Sequence, residues 1–285
     1  MNTPKNKRAF VKSITIIALF SIVLFACKKE KSTINQPQSP PADPPAPAVL
    51  LKEIVIPNLP SPYYHFEYDV TGKADFVSFA SDFTRYDIVY DDAGKIMELR
   101  NDIFVNRDTL RYFYDNTGKV VAINYIDING RIYIKIALTY DGKKLKTLER
   151  KRIFGSDFVV NKTMSFSYYN DGNLKEIVDH RPAVNVQTES TNITRFEDYD
   201  NNINVDAFGL LHNDFFDHLV FLPGIRLQIN NPRREILTGF NSYTVDYTYT
   251  YDEKHQPISK KGDLIFTAGP SAGQRFQTNS SYTYY

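Results

Sequence analysis

The sequence predicts a mainly β protein: a curved antiparallel meander, a half-barrel or roll, of sequential hairpins over residues 50–285, with one short helix near 204–222. Three observations predict it. A turn unit Tyr-Asp-x-x-Gly-Lys recurs, as "YDVTGK" at Tyr68, "YDDAGK" at Tyr90 and "YDNTGK" at Tyr114. Between turns, apolar and polar residues alternate with the period of two that places them on opposite faces of a strand. Tyrosine and phenylalanine number 20 each while tryptophan is absent, a bias toward sheets.

Residues 1–26 read as a signal peptide. A basic start (Lys5, Lys7, Arg8, Lys12) precedes the apolar run "ITIIALFSIVLFA", which ends at Ala26. A bilayer wants about 20 apolar residues, so the run is short for a span. A short membrane anchor is the rival reading. "LFAC", Leu24 to Cys27, resembles the lipobox of bacterial lipoproteins, with an aliphatic residue three places before the cysteine and a small one immediately before it. The resemblance implies cleavage before Cys27, diacylglyceryl on its sulfur and an acyl chain such as palmitate on the new amino terminus. Cys27 is the only cysteine in the chain. Several acyl chains, each stabilised by about 0.8 kcal/mol per buried methylene, anchor firmly. Lys28 differs from the aspartate that often retains lipoproteins in the inner membrane. The resemblance therefore implies the outer membrane, with the periplasmic and cell-surface sides both open.

Residues 27–49 form a tether. "STINQPQSPPADPPAPA", Ser32 to Ala48, is proline-rich, so it is extended and cannot join a sheet. At roughly 3 Å per residue it can hold a domain about 50 Å from the lipid. The rest, 50–285, suffices for one large β domain or two small ones, and is read as a single β domain. With 34 basic and 33 acidic residues there is no nucleic-acid footprint. Lacking a second cysteine, the domain is held by its core rather than by disulfides.

Further copies of the turn are "YDGKKL" at Tyr140 and the looser "YNDGNL" at Tyr169, "YDNNIN" at Tyr199 and "YDEKHQP" at Tyr251. Each position has a local reason. Aspartate accepts a hydrogen bond from the N–H two residues on. Glycine supplies the positive φ that longer hairpin loops need. Lysine keeps the next strand's entry wet, and tyrosine lies across its neighbour. In "SYTVDYTYTYD" one face carries Tyr243, Val245, Tyr247, Tyr249 and Tyr251, and the other Thr244, Asp246, Thr248 and Thr250. One-sided strands of this kind belong to an antiparallel sheet with one buried face. A spacing near 25 residues holds two strands of eight or nine plus turns, giving about ten to twelve strands in a sheet that curls. The segment Asn204 to Gly224 departs from the pattern. Its apolar residues Phe208, Leu211, Phe215, Leu219 and Leu222 suit an amphipathic helix stopped by Pro223 and Gly224, plugging the concave side or one end of the sheet.

The turn units resemble the tyrosine–aspartate repeats of RHS-type proteins, which build spiralling β structures. The lipobox, the "YDNNIN" plus helix segment near Tyr199, and "YTYTYDEKHQPISK…YTYY" together resemble a group of lipoproteins of unknown function from Bacteroidota-type envelopes, described as having porin-like β architecture. The likeness implies a curved antiparallel sheet in the envelope. It brings no catalytic residues.

Candidate chemistry is sparse. His212 and His218 with Asp214 and Asp217 have residue types that zinc sites use, but six residues on a helix turn the two imidazoles about 120° apart. Asp198, Asp200, Asn202 and Asn204 alternate as in a calcium loop, yet Ile203 and Gly209 stand where glycine and glutamate belong. "FTAGPSAG", Phe266 to Gly273, reads as a long hairpin turn rather than a phosphate loop, and nucleophile motifs are missing. No catalytic residue, metal ligand or cofactor is assigned. The tyrosine stripes serve as core or as a lining for sugar rings or an apolar groove. The expected function is that of a lipid-anchored, non-catalytic envelope protein binding a glycan, a peptide or an apolar ligand. Its partners are the membrane, through the lipid, and a glycan or envelope protein, with no nucleic acid. The alternatives are a polysaccharide hydrolase with paired carboxylates and a structural or assembly partner of another envelope protein.

Overall fold

The computed structural model describes residues 49–101, 107–212, 220–239 and 241–285. Cys27, with the signal and tether segments, lies outside the described residues. Strands β1 (Leu51–Val55), β2 (Tyr64–Tyr68), β3 (Ala74–Phe79), β4 (Thr84–Tyr90), β5 (Ile96–Arg100), β6 (Thr109–Tyr114) and β7 (Val120–Ile126) are short. The next five are longer: β8 (Ile132–Asp141), β9 (Lys144–Phe154), β10 (Asp157–Tyr168), β11 (Leu174–Arg181) and β12 (Ser190–Ile203). A 3-10 turn, Ala207–Leu211, precedes β13 (Asn230–Thr238), β14 (Tyr243–Tyr251), β15 (Pro257–Phe266) and β16 (Arg275–Tyr284).

Each strand pairs antiparallel with its sequence neighbour, and β1 pairs with β16, so the sheet is a closed barrel of 16 strands. The expected open half-barrel or roll of ten to twelve strands is therefore corrected. Strands of five to seven residues in the first half leave room for more hairpins than eight- or nine-residue strands allow. Closure then satisfies both edges of the sheet.

The recurrent turns join even to odd strands, so they all lie on one rim. In the copy at Tyr114, Asp115 Oδ1 accepts from the N–H groups of Thr117 (2.8 Å) and Lys119 (3.0 Å), and Gly118 takes φ 84°. The tyrosine before the turn clasps the strand paired beside its own. Tyr114, at the end of β6, donates its hydroxyl to the carbonyl of Ile96 (2.7 Å), at the start of the adjacent β5. The same bond runs from Tyr68 to Leu51, Tyr90 to Ala74, Tyr140 to Val120, Tyr168 to Leu145 and Tyr199 to Leu174. Tyr249 to Pro232 and Tyr284 to Pro257 complete a ring of tyrosine clasps around the rim. Lysines after the turns cover the next ring: Lys73 lies over Tyr90 at 5.3 Å, and Lys95 over Tyr114 at 5.3 Å.

Inward-facing Tyr86, Leu99, Leu110, Ile123, Leu148, Met164 and Phe196 are almost fully buried and form the core. The outer wall is polar. Across β12 to β16 one outward row reads Glu197, Arg234, Asp246, Asp263, Gln277. Arg234 holds Asp246 at 2.8 Å, Arg195 holds Glu176 at 2.8 Å, and Glu98 sits between Arg100 and Arg111 at 2.8 and 2.9 Å.

The connection from β12 to β13 enters the lumen as the predicted plug, but without the predicted helix in its described parts. Only Ala207–Leu211 turns, as 3-10, started by Asn204 Oδ1 accepting from the N–H groups of Asp206 (3.1 Å) and Ala207 (2.9 Å). Residues 213–219, which include Phe215 and Leu219, lie outside the described residues. A segment inside a barrel is buried from several sides, so apolar spacings of three and four arise without helix. Phe208 packs edge-on against Tyr64 and Phe66, at 5.0 and 5.3 Å between ring centres. On the opposite side, Leu211 and Val220 meet Tyr125, Ile134, Leu148 and Met164 around a void of about 20 Å³, little more than one water.

Candidate functional site

Among the described residues, Lys162 and Asp179 pair at 3.6 Å on the inner face of β10 and β11, and two further polar regions face the lumen. The first is the seat of the plug, where the turn copy at Tyr199 is interrupted by it. Asp200 Oδ1 accepts from the N–H groups of Asn202 (2.9 Å) and Asn231 (3.2 Å), and Oδ2 accepts from the hydroxyl of Tyr251. Asn173 Oδ1 receives the N–H groups of Ile229 and Asn230, each at 2.9 Å. Asn204 Nδ2 donates to Asp206 (3.1 Å), and Gln228 Nε2 to the Tyr199 hydroxyl (3.1 Å). Buried carbonyls and amides of the irregular chain find their partners here, as they must away from water.

Asp200 of the calcium reading is thus satisfied by protein donors, and Asp198 takes φ 56° within β12. Among the described residues no group of three or more His, Cys, Asp or Glu side chains can hold a metal ion. His212 is buried, 4.2 Å from the Phe79 ring centre, with Nδ1 2.9 Å from the Tyr64 hydroxyl. His218, Asp214 and Asp217 lie outside the described residues. His255 occupies the glycine position of its turn at φ 61°. Phe266 to Gly273 enters the β15–β16 hairpin turn, closed by the bond from Gly273 N–H to the Phe266 carbonyl.

The second region is the inner face of β13 to β16, opposite the rim of recurrent turns, and sequence reasoning missed its charged members. Register places Glu235, Val245, Leu264 and Phe276 in one inward row, then Tyr247, Gly262 and Thr278, then Tyr249, Lys260 and Ser280. Glu235 accepts both the Tyr243 and Tyr247 hydroxyls, each at 2.9 Å. Lys260 Nζ lies 4.4 Å from the Tyr247 ring centre and 3.2 Å from Asp206 Oδ2. The Tyr282 hydroxyl donates to the same Oδ2 at 2.7 Å. Burial pushes the Asp206 carboxyl up, but Lys260, Tyr282 and Asn204 outweigh this and hold it below the usual carboxylate range. Burial, with the Glu235 charge beside them, pushes the Tyr243 and Tyr247 phenols up.

Gly262 was the available sequence signal, an isolated glycine inside a strand pattern. A Cβ there would fall 2.5 Å from Thr278 Oγ1, 2.7 Å from Val245 Cγ1 and 2.8 Å from Tyr247 Cε1. Its absence lets the edge of the Tyr247 ring approach the backbone of β15 closely. This wall overhangs the shorter strands of the first half, and its residues are open: Phe276 is 52% exposed, Thr278 is exposed, and Tyr243, Tyr247 and Leu264 are half-buried. The β14 tyrosines thus stand outside the main apolar core.

Neither a protein-family model nor a curated protein matches the chain. Solved structures share its fold, two porin-like proteins among them. A porin-like protein from Bacteroides uniformis aligns with a TM-score of 0.55 at 14% identity, over 83% of this chain and 95% of that one. A porin-like protein from Bacteroides vulgatus aligns with a TM-score of 0.55 at 14% identity, over 83% of this chain and 99% of that one.

Proposed function

We propose that this chain is a water-facing β-barrel, tethered to the bacterial outer membrane through lipid on Cys27, that binds a ligand and catalyses no reaction. One observation carries the reading: the polarity of the wall. A membrane-spanning barrel presents an outward apolar band about 25 Å tall and a polar interior. Here the rows are reversed. Arg234, Asp246 and Asp263 point out, while Tyr86, Leu99, Leu110 and Ile123 point in. The plug packs against both sides of the lumen, which opposes conduction, and a cavity of about 350 Å³ remains among its own residues from Asn204 to Gln228. The porin-like neighbours support the barrel architecture, and the lipobox resemblance supports the anchor.

A hydrolase with two carboxylates needs one of them protonated at working pH. Asp206 is held ionised by Lys260, and Glu235 is committed as acceptor to two phenols. The open wall therefore favours binding over acid catalysis.

The reading is tested on the full chain expressed in a bacterial envelope. It predicts acyl labelling that Cys27→Ser abolishes, and no conductance when the purified protein is added to planar bilayers. Stable single-channel steps, or unchanged acylation of the variant, would overturn it.

A further inference from the structure

Resting on the binding reading, we propose that the open inner face of β13 to β16 is a site for a neutral oligosaccharide, with Tyr243 and Phe276 as stacking surfaces and Glu235 as the central acceptor.

Four features point to that chemistry. A sugar offers an apolar face of C–H groups and a rim of hydroxyls, and the site offers ring faces beside a fixed carboxylate. Phe276 is half exposed, and Phe266 stacks edge-on between Tyr243 (6.0 Å) and Phe276 (5.9 Å), so the aromatic surface is continuous across β14 to β16. Glu235 is held by two phenols, yet a carboxylate has about four lone-pair directions, leaving roughly two for ligand hydroxyls. Gly262 lets the Tyr247 ring edge and the exposed Thr278 hydroxyl approach the same point of β15, placing a hydroxyl beside the ring. At about 4.8 Å per strand the face runs roughly 14 Å from Glu235 to Phe276, room for a short run of sugar rings.

Other occupants fit less well. An apolar chain would have to desolvate Glu235 and Lys260 without replacing their hydrogen bonds. A peptide adding as a strand needs an unpaired edge, and closure of the barrel removes the edges. An anionic ligand meets the Glu235 charge at the centre of the site.

The experiment titrates the full chain in detergent with neutral hexasaccharides of glucose, mannose and xylose. Binding is read by tyrosine fluorescence, unobscured because the chain has no tryptophan, and by saturation transfer to the sugar protons. Thr278→Arg places a long side chain over the face from an already exposed position, and Thr248→Arg does the same on the outer side of the wall. At least one hexasaccharide is expected to bind. Thr278→Arg weakens it about tenfold or more, the scale of about 1.4 kcal/mol, and Glu235→Gln weakens it about fivefold, while Thr248→Arg leaves it unchanged. Absence of binding to all three sugars, or equal affinity in wild type and Thr278→Arg at matched melting temperature, overturns the assignment. The two readings fail separately: conductance sinks the tethered barrel, whereas a non-conducting protein that binds no sugar sinks only the ligand class.

Discussion

Replacing Tyr114 by phenylalanine isolates one clasp of the rim. The substitution removes the donor of a 2.7 Å hydrogen bond to the half-buried carbonyl of Ile96 and keeps the ring over which Lys95 lies at 5.3 Å. A hydrogen bond of this type contributes about 1 kcal/mol net, and a carbonyl left dry raises the loss toward about 2 kcal/mol. Tyr140→Phe repeats the change one repeat on, at the 2.7 Å bond to Val120. Their acceptors are different, so the double variant loses about 2–4 kcal/mol if the clasps are independent. Urea unfolding followed by far-ultraviolet circular dichroism reads this directly. With a slope of about 3 kcal/mol per molar, each single change lowers the midpoint by about 0.3–0.6 M without changing the slope. Unchanged midpoints in both single variants would refute the idea that the hydroxyls, rather than the rings alone, hold the rim. A double variant losing far more than the sum would show that the ring acts as one unit.

Three further outcomes rest on the same geometry. Burial pushes the phenols of Tyr68, Tyr114 and Tyr140 up to about 12, so their stabilisation is complete below the unfolded tyrosine value near about 10 and is lost as pH rises through about 12. Absorbance titration at alkaline pH should find a late tyrosinate fraction released together with loss of β signal, and release well before unfolding would contradict it. Asp206→Leu leaves Lys260 and Tyr282 without their shared acceptor and should cost about 2–3 kcal/mol above pH 5. Because the Asp206 carboxyl is held low, its contribution is present above the unfolded carboxylate range near about 4 and fades as pH falls through the folded value, so wild type and variant should converge in acid. Gly262→Ala forces a methyl against Thr278, Val245 and Tyr247 and should lower stability by about 1–3 kcal/mol. A melting temperature equal to wild type would show that Tyr247 moves aside freely.

The turn chemistry was readable residue by residue. Asp115 and Gly118 act as their types require, because an Asx turn and a positive φ are local properties. The clasp of Tyr114 was legible in outline: its ring was expected to lie across its neighbour, and its hydroxyl bonds Ile96 on the paired strand β5, while the identity of the acceptor follows from register, which no period gives. In "YNDGNL" the clasping residue is Tyr168, and Tyr169 takes the aspartate's backbone place, bonding its N–H to the Asn173 carbonyl. Similarity in letters hid that one-residue offset. The face carrying Tyr243 to Tyr251 was identified correctly, yet its setting was not, since the Glu235 and Asp206–Lys260 contacts join residues from separate strands and the plug. The helix was inferred from spacing alone, and burial from several sides produces the same spacing.

The seam between β1 and β16 has a cost of a different order from every other ladder. Leu51 meets Tyr284 across nearly the whole domain, and closing a loop on the order of 230 residues costs about 5 kcal/mol in chain entropy, against about 1–2 kcal/mol for a hairpin of a few residues. The strand that completes it is thin: β1 has five residues, and its register with β2 holds two pairs, Glu53 with His65 and Ile54 with Tyr64. High contact order concentrated in one ladder makes that ladder the last to form and the first to open. An opened molecule keeps its hairpins and offers two complementary strand edges. At high protein concentration those edges find each other between chains, so exchange of β1 between two copies is the characteristic misassembly of this architecture.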